Sequence, residues 1–141
     1  MSKKRVTSME VLRYVHELAR IPLVAAVGEN SNSMDIFIDG IQPINISKPT
    51  IVLRHTAGRS GDVQEGVVTM LMYSKPYLSS KDGRQMPDTS TVMRYERAAQ
   101  DWVESLPTGE YLLWSDDTIQ TDYDPEAGLY FTSVRLKYRH Y

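Results

Sequence analysis

Gly128-Leu-Tyr-Phe-Thr-Ser-Val-Arg-Leu-Lys-Tyr-Arg-His-Tyr141 is the stretch that decides the fold, because it predicts one long strand. Two series of residues alternate along it: Tyr130, Thr132, Val134, Leu136 and Tyr138 in one, and Phe131, Ser133, Arg135, Lys137 and Arg139 in the other. Alternation with a period of two is typical of a strand with one buried face. The second series carries three cations and no matching acids, which favours a role in architecture or partner binding over catalysis.

The composition is that of an ordinary globular chain. Its 141 residues suit one domain, and 41% of them are apolar. A net charge of −2 predicts no overall attraction to nucleic acid, so any basic function must be local. The absence of cysteine excludes disulfide bonds, thiolate catalysis and cysteine-ligated zinc. Neither the basic N-terminal residues nor the apolar run at residues 23–27 has the pattern of an export signal or a membrane span, so we expect a soluble protein.

Helix and strand signals alternate along the rest of the chain. A capping box at Thr7 and Glu10 predicts a helix from about Ser8 to Arg20, which ends before Pro22. A second helix is predicted from Thr89 or Ser90 to Leu106. Strands are predicted at residues 34–41, 49–56, 63–74, 110–114 and 119–123, with a bulge at Gly66 and with the last of them paired to the C-terminal strand. This order predicts one α+β domain with two α-helices packed on an antiparallel or mixed β-sheet.

Two polar segments lie between the predicted elements. Residues 54–62 have the composition of an exposed hairpin loop, and residues 75–87 have that of a longer irregular segment. Exposed loops on a rigid sheet commonly carry binding. The basic row of the C-terminal strand has two interpretations: its cations discourage aggregation between sheets, or they contact an acidic protein or a nucleic-acid backbone.

One set of carboxylates allows an enzymatic hypothesis. Asp39, Glu96 and Asp116 follow one another in an order similar to that of ribonuclease-H-like nucleases, in which carboxylates hold two metal ions. Too little chain follows Asp116 for the helices that complete that fold. The simpler interpretation is a turn, a solvated helix residue and the end of a strand. The spacing of the three histidines is not that of metal ligands. The sequence therefore assigns no metal site, and it also assigns no catalytic residue and no cofactor.

The whole order of elements resembles the tail terminator, or tail completion, proteins of long-tailed bacteriophages. The resemblance rests on the short N-terminal helix, on Val67-Val-Thr-Met-Leu-Met-Tyr-Ser74 with the irregular segment after it, on the helix bearing Tyr95, Ala99 and Trp102, and on the closing strand. It covers most of the chain and includes no catalytic signature. A head–tail connector, a minor capsid protein of the same phages and a small adaptor domain stay open as alternatives.

The resemblance implies a non-enzymatic virion protein at the head-proximal end of the tail, assembled in the host cytoplasm. It implies a homo-oligomeric ring of six subunits that caps the tail tube and joins it to the head–tail connector protein. Genomic DNA would pass through the lumen without sequence-specific binding, and no membrane would be involved. The candidate interface residues are Arg54, His55, Arg59, Asp62, Tyr77, Lys81, Arg84, Arg135, Lys137 and Arg139.

Overall fold

The computed structural model describes residues 5–23, 35–38, 50–59, 63–78, 81 and 83–140. Two helices pack on one sheet, which confirms the predicted α+β domain. The helices are α1 (Ser8–Arg20) and α2 (Thr89–Glu104). The strands are β1 (Asp35–Ile38), β2 (Thr50–Arg59), β3 (Gln64–Ser74), β4 (Tyr77–Leu78), β5 (Gln85–Met86), β6 (Tyr111–Trp114), β7 (Gln120–Asp124) and β8 (Leu129–His140). No helix within these residues is long and apolar enough to cross a membrane.

Both helices begin at the caps that their sequences predict. The Thr7 hydroxyl accepts the Glu10 backbone N–H at 3.3 Å, and the Glu10 carboxylate accepts the Thr7 backbone N–H at 3.2 Å, which completes the capping box of α1. Asp88 caps α2 by accepting the Thr91 backbone N–H at 3.3 Å. The indole of Trp102 donates to the Leu18 carbonyl at 3.1 Å and so ties the two helices together. The end of α2 lies at Glu104, two residues before the predicted Leu106.

The long C-terminal strand β8 is the centre of the sheet. The strand order is β1-β2-β3-β8-β6, and β7 pairs with β8 as well. β3 runs antiparallel to β8 over its length, while β7 and β6 follow one another along the opposite side of β8. β1 is parallel to β2, which makes the sheet mixed. The predicted pairing of residues 119–123 with the final strand is confirmed.

The connection between β2 and β3 differs from its prediction. Residues 54–59 belong to β2 and are not part of a loop, whereas residues 60–62 lie outside the described residues. The bulge lies in β2 and not at Gly66: His55 pairs with Val68 and Ala57 pairs with Val67, which leaves Thr56 as the extra residue. The bulge reverses the alternation of β2, so Arg54 and Arg59 lie on the same face although they are five positions apart, an offset that strict alternation would place on opposite faces.

Two further predictions are refined by the structure. The segment at residues 75–87 is not wholly irregular, because Tyr77–Leu78 and Gln85–Met86 pair as a small antiparallel hairpin. Asp35–Ile38 forms the first predicted strand, but residues 34 and 39–41 lie outside the described part of the chain.

The main core lies between the helices and the face of the sheet that we call the inner face. From β8, this face presents the predicted series, of which Tyr130 is half-buried and Thr132, Val134, Leu136 and Tyr138 are buried; the same alternation continues to His140, which is also buried. Val134, Leu136 and Tyr138 pack with buried residues of the other elements, which include Val11, Leu12, Val15, Tyr95, Ala99, Trp102, Ile51, Leu53, Val68, Met70 and Met72. The opposite side, the outer face, bears the alternate residues of β8 and a smaller buried cluster of Val52, Leu71, Tyr73 and Leu129.

Gly66 makes room for the ring of Tyr138 on the inner face. A Cβ at position 66 would lie 2.5 Å from the Tyr138 hydroxyl, 2.6 Å from its ring and 2.5 Å from the Ala57 carbonyl oxygen. Gly58, which pairs with Gly66, is also close to this tyrosine. A large ring over paired glycines restores the packing that glycines leave out of a sheet. Tyr138 is 1% exposed in this position.

We expect Gly66→Ala to lower the free energy of unfolding by about 1–3 kcal/mol, because the added methyl group must displace a buried ring or the β2 backbone. Urea denaturation measures the change. Gly109→Ala is the matched control, since a Cβ there would meet only the Tyr14 hydroxyl at 3.8 Å. Equal stability of the two variants would contradict this explanation of Gly66.

Candidate functional site on the outer face of the sheet

The candidate interface residues of β2 and β8 meet in three rows across the outer face. Each row follows the strand register, so its members are neighbours on one surface. The rows are Arg54, Thr69 and Arg135; Ala57, Val67, Lys137 and Trp114; and Arg59, Glu65, Arg139 and Leu112.

Each cation of β8 has an acidic partner, which corrects the expectation that no acids match them. The Nε of Arg139 lies 2.8 Å from the Oε1 of Glu65 on β3. The Nζ of Lys137 lies 2.8 Å from the Oδ2 of Asp116. The Nε of Arg135 lies 3.9 Å from the Oδ2 of Asp117. The acids belong to other parts of the chain, so the sequence of β8 alone does not predict these pairs. Because the paired side chains are exposed, each ion pair contributes little to the stability of the fold.

Asp116 and Trp114 contact two of these cations, Lys137 and Arg139. Hydrogen bonds from Lys137 and from the indole of Trp114, at 3.3 Å, lower the pKa of Asp116 from its usual value. The guanidinium carbon of Arg139 lies 5.6 Å from the centre of the Trp114 ring, which is within cation–π range. The tryptophan therefore contacts both a cation and a carboxylate at the surface.

A shallow cavity of about 260 Å³ opens between the second and third rows. Its lining includes the apolar groups of Ala57, Val67 and Trp114, with Arg59, Lys137 and Arg139 around them. Glu65 also lines it. The cavity thus has an apolar floor and a mainly cationic rim.

The outer face carries an excess of positive charge around this cavity. Arg54 and Arg59 form no ion pair within the described part of the chain. The five cations Arg54, Arg59, Arg135, Lys137 and Arg139 face the three acids Glu65, Asp116 and Asp117, an excess of two positive charges.

The structure therefore brings together five of the ten candidate interface residues: Arg54, Arg59, Arg135, Lys137 and Arg139. Lys81 and Arg84 are exposed near the β4–β5 hairpin, and Tyr77 lies in β4. Asp62 lies outside the described residues. His55 does not join the cationic group, because its side chain belongs to the inner face, where its Nε2 lies 2.7 Å from the Tyr138 hydroxyl.

His55 is part of an aromatic cluster that the sequence interpretation missed. Tyr111 lies between Tyr14 and His140, with ring centres 4.3 Å and 4.9 Å away, and its ring also contacts Tyr138. The Nε2 of His140 lies 2.9 Å from the Glu110 carboxylate. Alternation in β8 already places Tyr138 and His140 on one face, and the alignment of β6 with β8 completes the cluster.

Burial raises the pKa of several tyrosines in the sheet. The pKa of Tyr111 rises to about 12, first because the ring is buried and second because Glu110 is nearby. Burial also raises the pKa of Tyr138. On the outer face, burial raises the pKa of Tyr73, against an opposing effect of Arg54.

Two of the three carboxylates in the nuclease hypothesis line one groove between α2 and the β6–β7 connection. Glu96 accepts a hydrogen bond from the Thr121 hydroxyl at 2.7 Å. Asp116, in the same groove, is bonded to Lys137. Asp39 lies outside the described residues, and among the residues that are described no group of three His, Cys, Asp or Glu could hold a metal ion.

The chain matches no model of a known protein family, and no curated protein matches it.

We expect the free energy of unfolding to fall less steeply with rising pH in Tyr111→Phe than in the wild type. The pKa of Tyr111 is about 12 in the folded protein and 10.0 in the unfolded chain, so the unfolded chain loses this proton first as the pH rises. The difference between the two pKa values stabilises the folded protein. This contribution is complete below pH 10 and is lost as the pH rises through about 12.

Urea unfolding from about pH 9 to 12 measures the effect. The wild-type slope should exceed that of Tyr111→Phe by at most roughly 1.4 kcal/mol per pH unit. Parallel curves for wild type and Tyr111→Phe would contradict the prediction.

Proposed function

We propose that this protein is a bacteriophage virion assembly protein, and that it acts as the ring-forming tail terminator that caps the tail tube. In this role it stops polymerisation of the tube and joins it to the head–tail connector protein. The observation that carries the proposal is the outer face, where a prefolded surface combines arginines, a tryptophan and an apolar cavity.

The composition of this surface favours protein binding. Arginine and tryptophan are enriched in protein interfaces and dominate their binding energy. Glu65, Asp116 and Asp117 lie among the cations, and this alternation of signs suits a protein surface better than a continuous phosphate backbone.

The two ends of β3 lie next to two separate candidate regions. The Arg59–Glu65 pair lies at one end, and the β4–β5 hairpin follows Ser74 at the other. A strand rises about 3.3 Å per residue, so the length of β3 separates these regions by roughly 33 Å. One region is available to the tail tube while the other is available to the connector, and the genome passes through the lumen of the ring.

The groove that holds Glu96 and Asp116 favours a metal-dependent nuclease as the second candidate. In this alternative both carboxylates, with Asp39, would bind metal ions. The hydrogen bond from Thr121 to Glu96 and the ion pair of Asp116 with Lys137 would have to be given up or shared. The terminator needs no such change.

Electron microscopy of the purified protein mixed with tail tubes of the same phage tests the two candidates, beside a nuclease assay with Mg²⁺ and Mn²⁺. We expect rings at one end of tubes of uniform length and no cleavage of DNA or RNA. The variants Glu96→Gln and Asp116→Asn should cap tubes as the wild type does.

Cleavage that depends on metal and disappears in both variants, without capping, would overturn the proposal in favour of the nuclease. Absence of both capping and cleavage would also overturn the terminator role and leave the connector or adaptor role to be tested.

A further inference from the structure

Building on the proposed ring, we propose that the cavity on the outer face receives the β7–β8 hairpin of a second copy of this chain. The receptor is the cavity lined by Ala57, Val67 and Trp114, together with Arg54 and Arg59, which lie on the same strand as Ala57. The insert is the hairpin at residues 122–128, which we call the acidic hairpin.

The acidic hairpin carries negative charge, opposite in sign to the positive charge around the receptor. Its sequence is Asp122-Tyr-Asp-Pro-Glu-Ala-Gly128. Asp122 and Glu126 are exposed, and neither carboxylate forms an ion pair within the described part of the chain. Tyr123 is one of the large apolar side chains exposed at the surface, with 40% of its area accessible. Its ring packs on Tyr130, with ring centres 5.0 Å apart. A hairpin that bears exposed carboxylates and a partly exposed aromatic ring complements a cavity with an apolar floor and a cationic rim.

The hairpin is folded before any partner arrives. The Asp124 carboxylate accepts the backbone N–H groups of Glu126 and Ala127 at 3.0 and 3.3 Å. The Gly128 N–H donates to the Asp124 carbonyl at 2.9 Å, and Gly128 adopts a φ of 67°, which glycine permits without strain. A prefolded insert loses little conformational entropy on binding.

Receptor and insert lie at opposite ends of the same strand. Arg59 and Glu65 are in the row of Arg139, whereas Asp124 pairs with Leu129. Ten residues of β8 separate these positions, or roughly 33 Å. One chain therefore cannot fill its own receptor. A contact between two different surfaces is heterologous, and it generates a ring when the rotation between neighbours closes.

The charge distribution of the outer face argues against a nucleic acid as the occupant of the receptor. Three carboxylates already lie on this surface, and the chain as a whole has a net charge of −2. A polyanion would meet these carboxylates along its length, whereas a short hairpin meets only the cavity and its rim.

Charge reversal tests the contact. One variant carries Arg54→Glu and Arg59→Glu, and the other carries Asp122→Arg and Glu126→Arg. Sedimentation velocity and native mass spectrometry follow self-association across a concentration series. We expect each variant alone to associate at least about ten-fold more weakly than the wild type, because like charges then face one another.

An equimolar mixture of the two variants should recover association, because opposite charges then meet at every contact. The reversed receptor of one variant faces the reversed hairpin of the other, and the unreversed receptor faces the unreversed hairpin. The recovered rings should contain even numbers of subunits with the variants in alternation. The control, Arg13→Glu with Arg97→Glu, makes the same charge change as the receptor reversal, but at exposed helix positions, and should associate as the wild type does. Circular dichroism checks that every variant is folded.

Cysteine cross-linking tests the same contact when association is weak. The chain has no cysteine of its own, so Ala57→Cys with Glu126→Cys introduces a single pair of thiols. Oxidation should join the chains into ladders and closed rings on a non-reducing gel, since a disulfide needs Cα atoms within about 7 Å. Met93→Cys with Glu126→Cys is the control, because Met93 is exposed on α2, and it should stay uncross-linked.

Association that neither reversal weakens would overturn this interface, and so would a chain that neither associates nor cross-links. Binding of oligo(dT) that the receptor reversal abolishes and the hairpin reversal leaves intact would assign the outer face to nucleic acid and would also overturn it. Capping of tail tubes by either reversal variant would refute the interface while leaving the terminator role standing, so the two failures are distinguishable.

Discussion

The pairing of β8 with three other strands is the constraint on which the rest of the structure depends. β3 covers one side of it, and β7 and β6 divide the other side between them. Every residue of β8 therefore has a fixed face and a fixed cross-strand neighbour. The inner face of the strand supplies Val134, Leu136 and Tyr138 to the main core, and the outer face supplies the three cations of the candidate interface. A shift of register by one residue would exchange the two sets, so core packing also holds the interface in place.

The sequence predicted this framework well because its strongest signals are local. The capping box of α1, the helical spacing of α2 and the alternation in β8 each arise within one element, and each proved correct. The cavity could not be predicted in the same way. Glu65 and Asp116 reach Arg139 and Lys137 only through the pairing of strands that are distant in the chain, and the alternation of β8 contains no information about them.

The position of Arg59 shows most clearly what local patterns miss. Strict alternation through β2 would place Arg59 on the same face as His55, toward the helices. The extra residue at Thr56 reverses the alternation, and its hydroxyl bonds to the Val67 carbonyl and the Thr69 hydroxyl, at 3.3 and 3.2 Å. Glycines opposite one another at 58 and 66 accommodate Tyr138 beside the bulge. A loop and a bulged strand end both use polar residues and glycine. The composition of this segment therefore predicts a loop although the structure forms a bulged strand end.

The same geometry bears on how strongly the proposed interface can bind. Lys137 and Arg139 are already bonded to Asp116 and Glu65, so an incoming carboxylate exchanges an internal ion pair for an external one and gains little. The net attraction then rests on Arg54, Arg59 and the apolar floor, and one such contact is weak. In a ring every subunit makes two contacts, and a template that holds the subunits together raises their effective concentration. If the proposed interface closes the proposed ring, weak single contacts would favour separate subunits in dilute solution and closed rings on a tube, which is the order of events that the proposed terminator role requires.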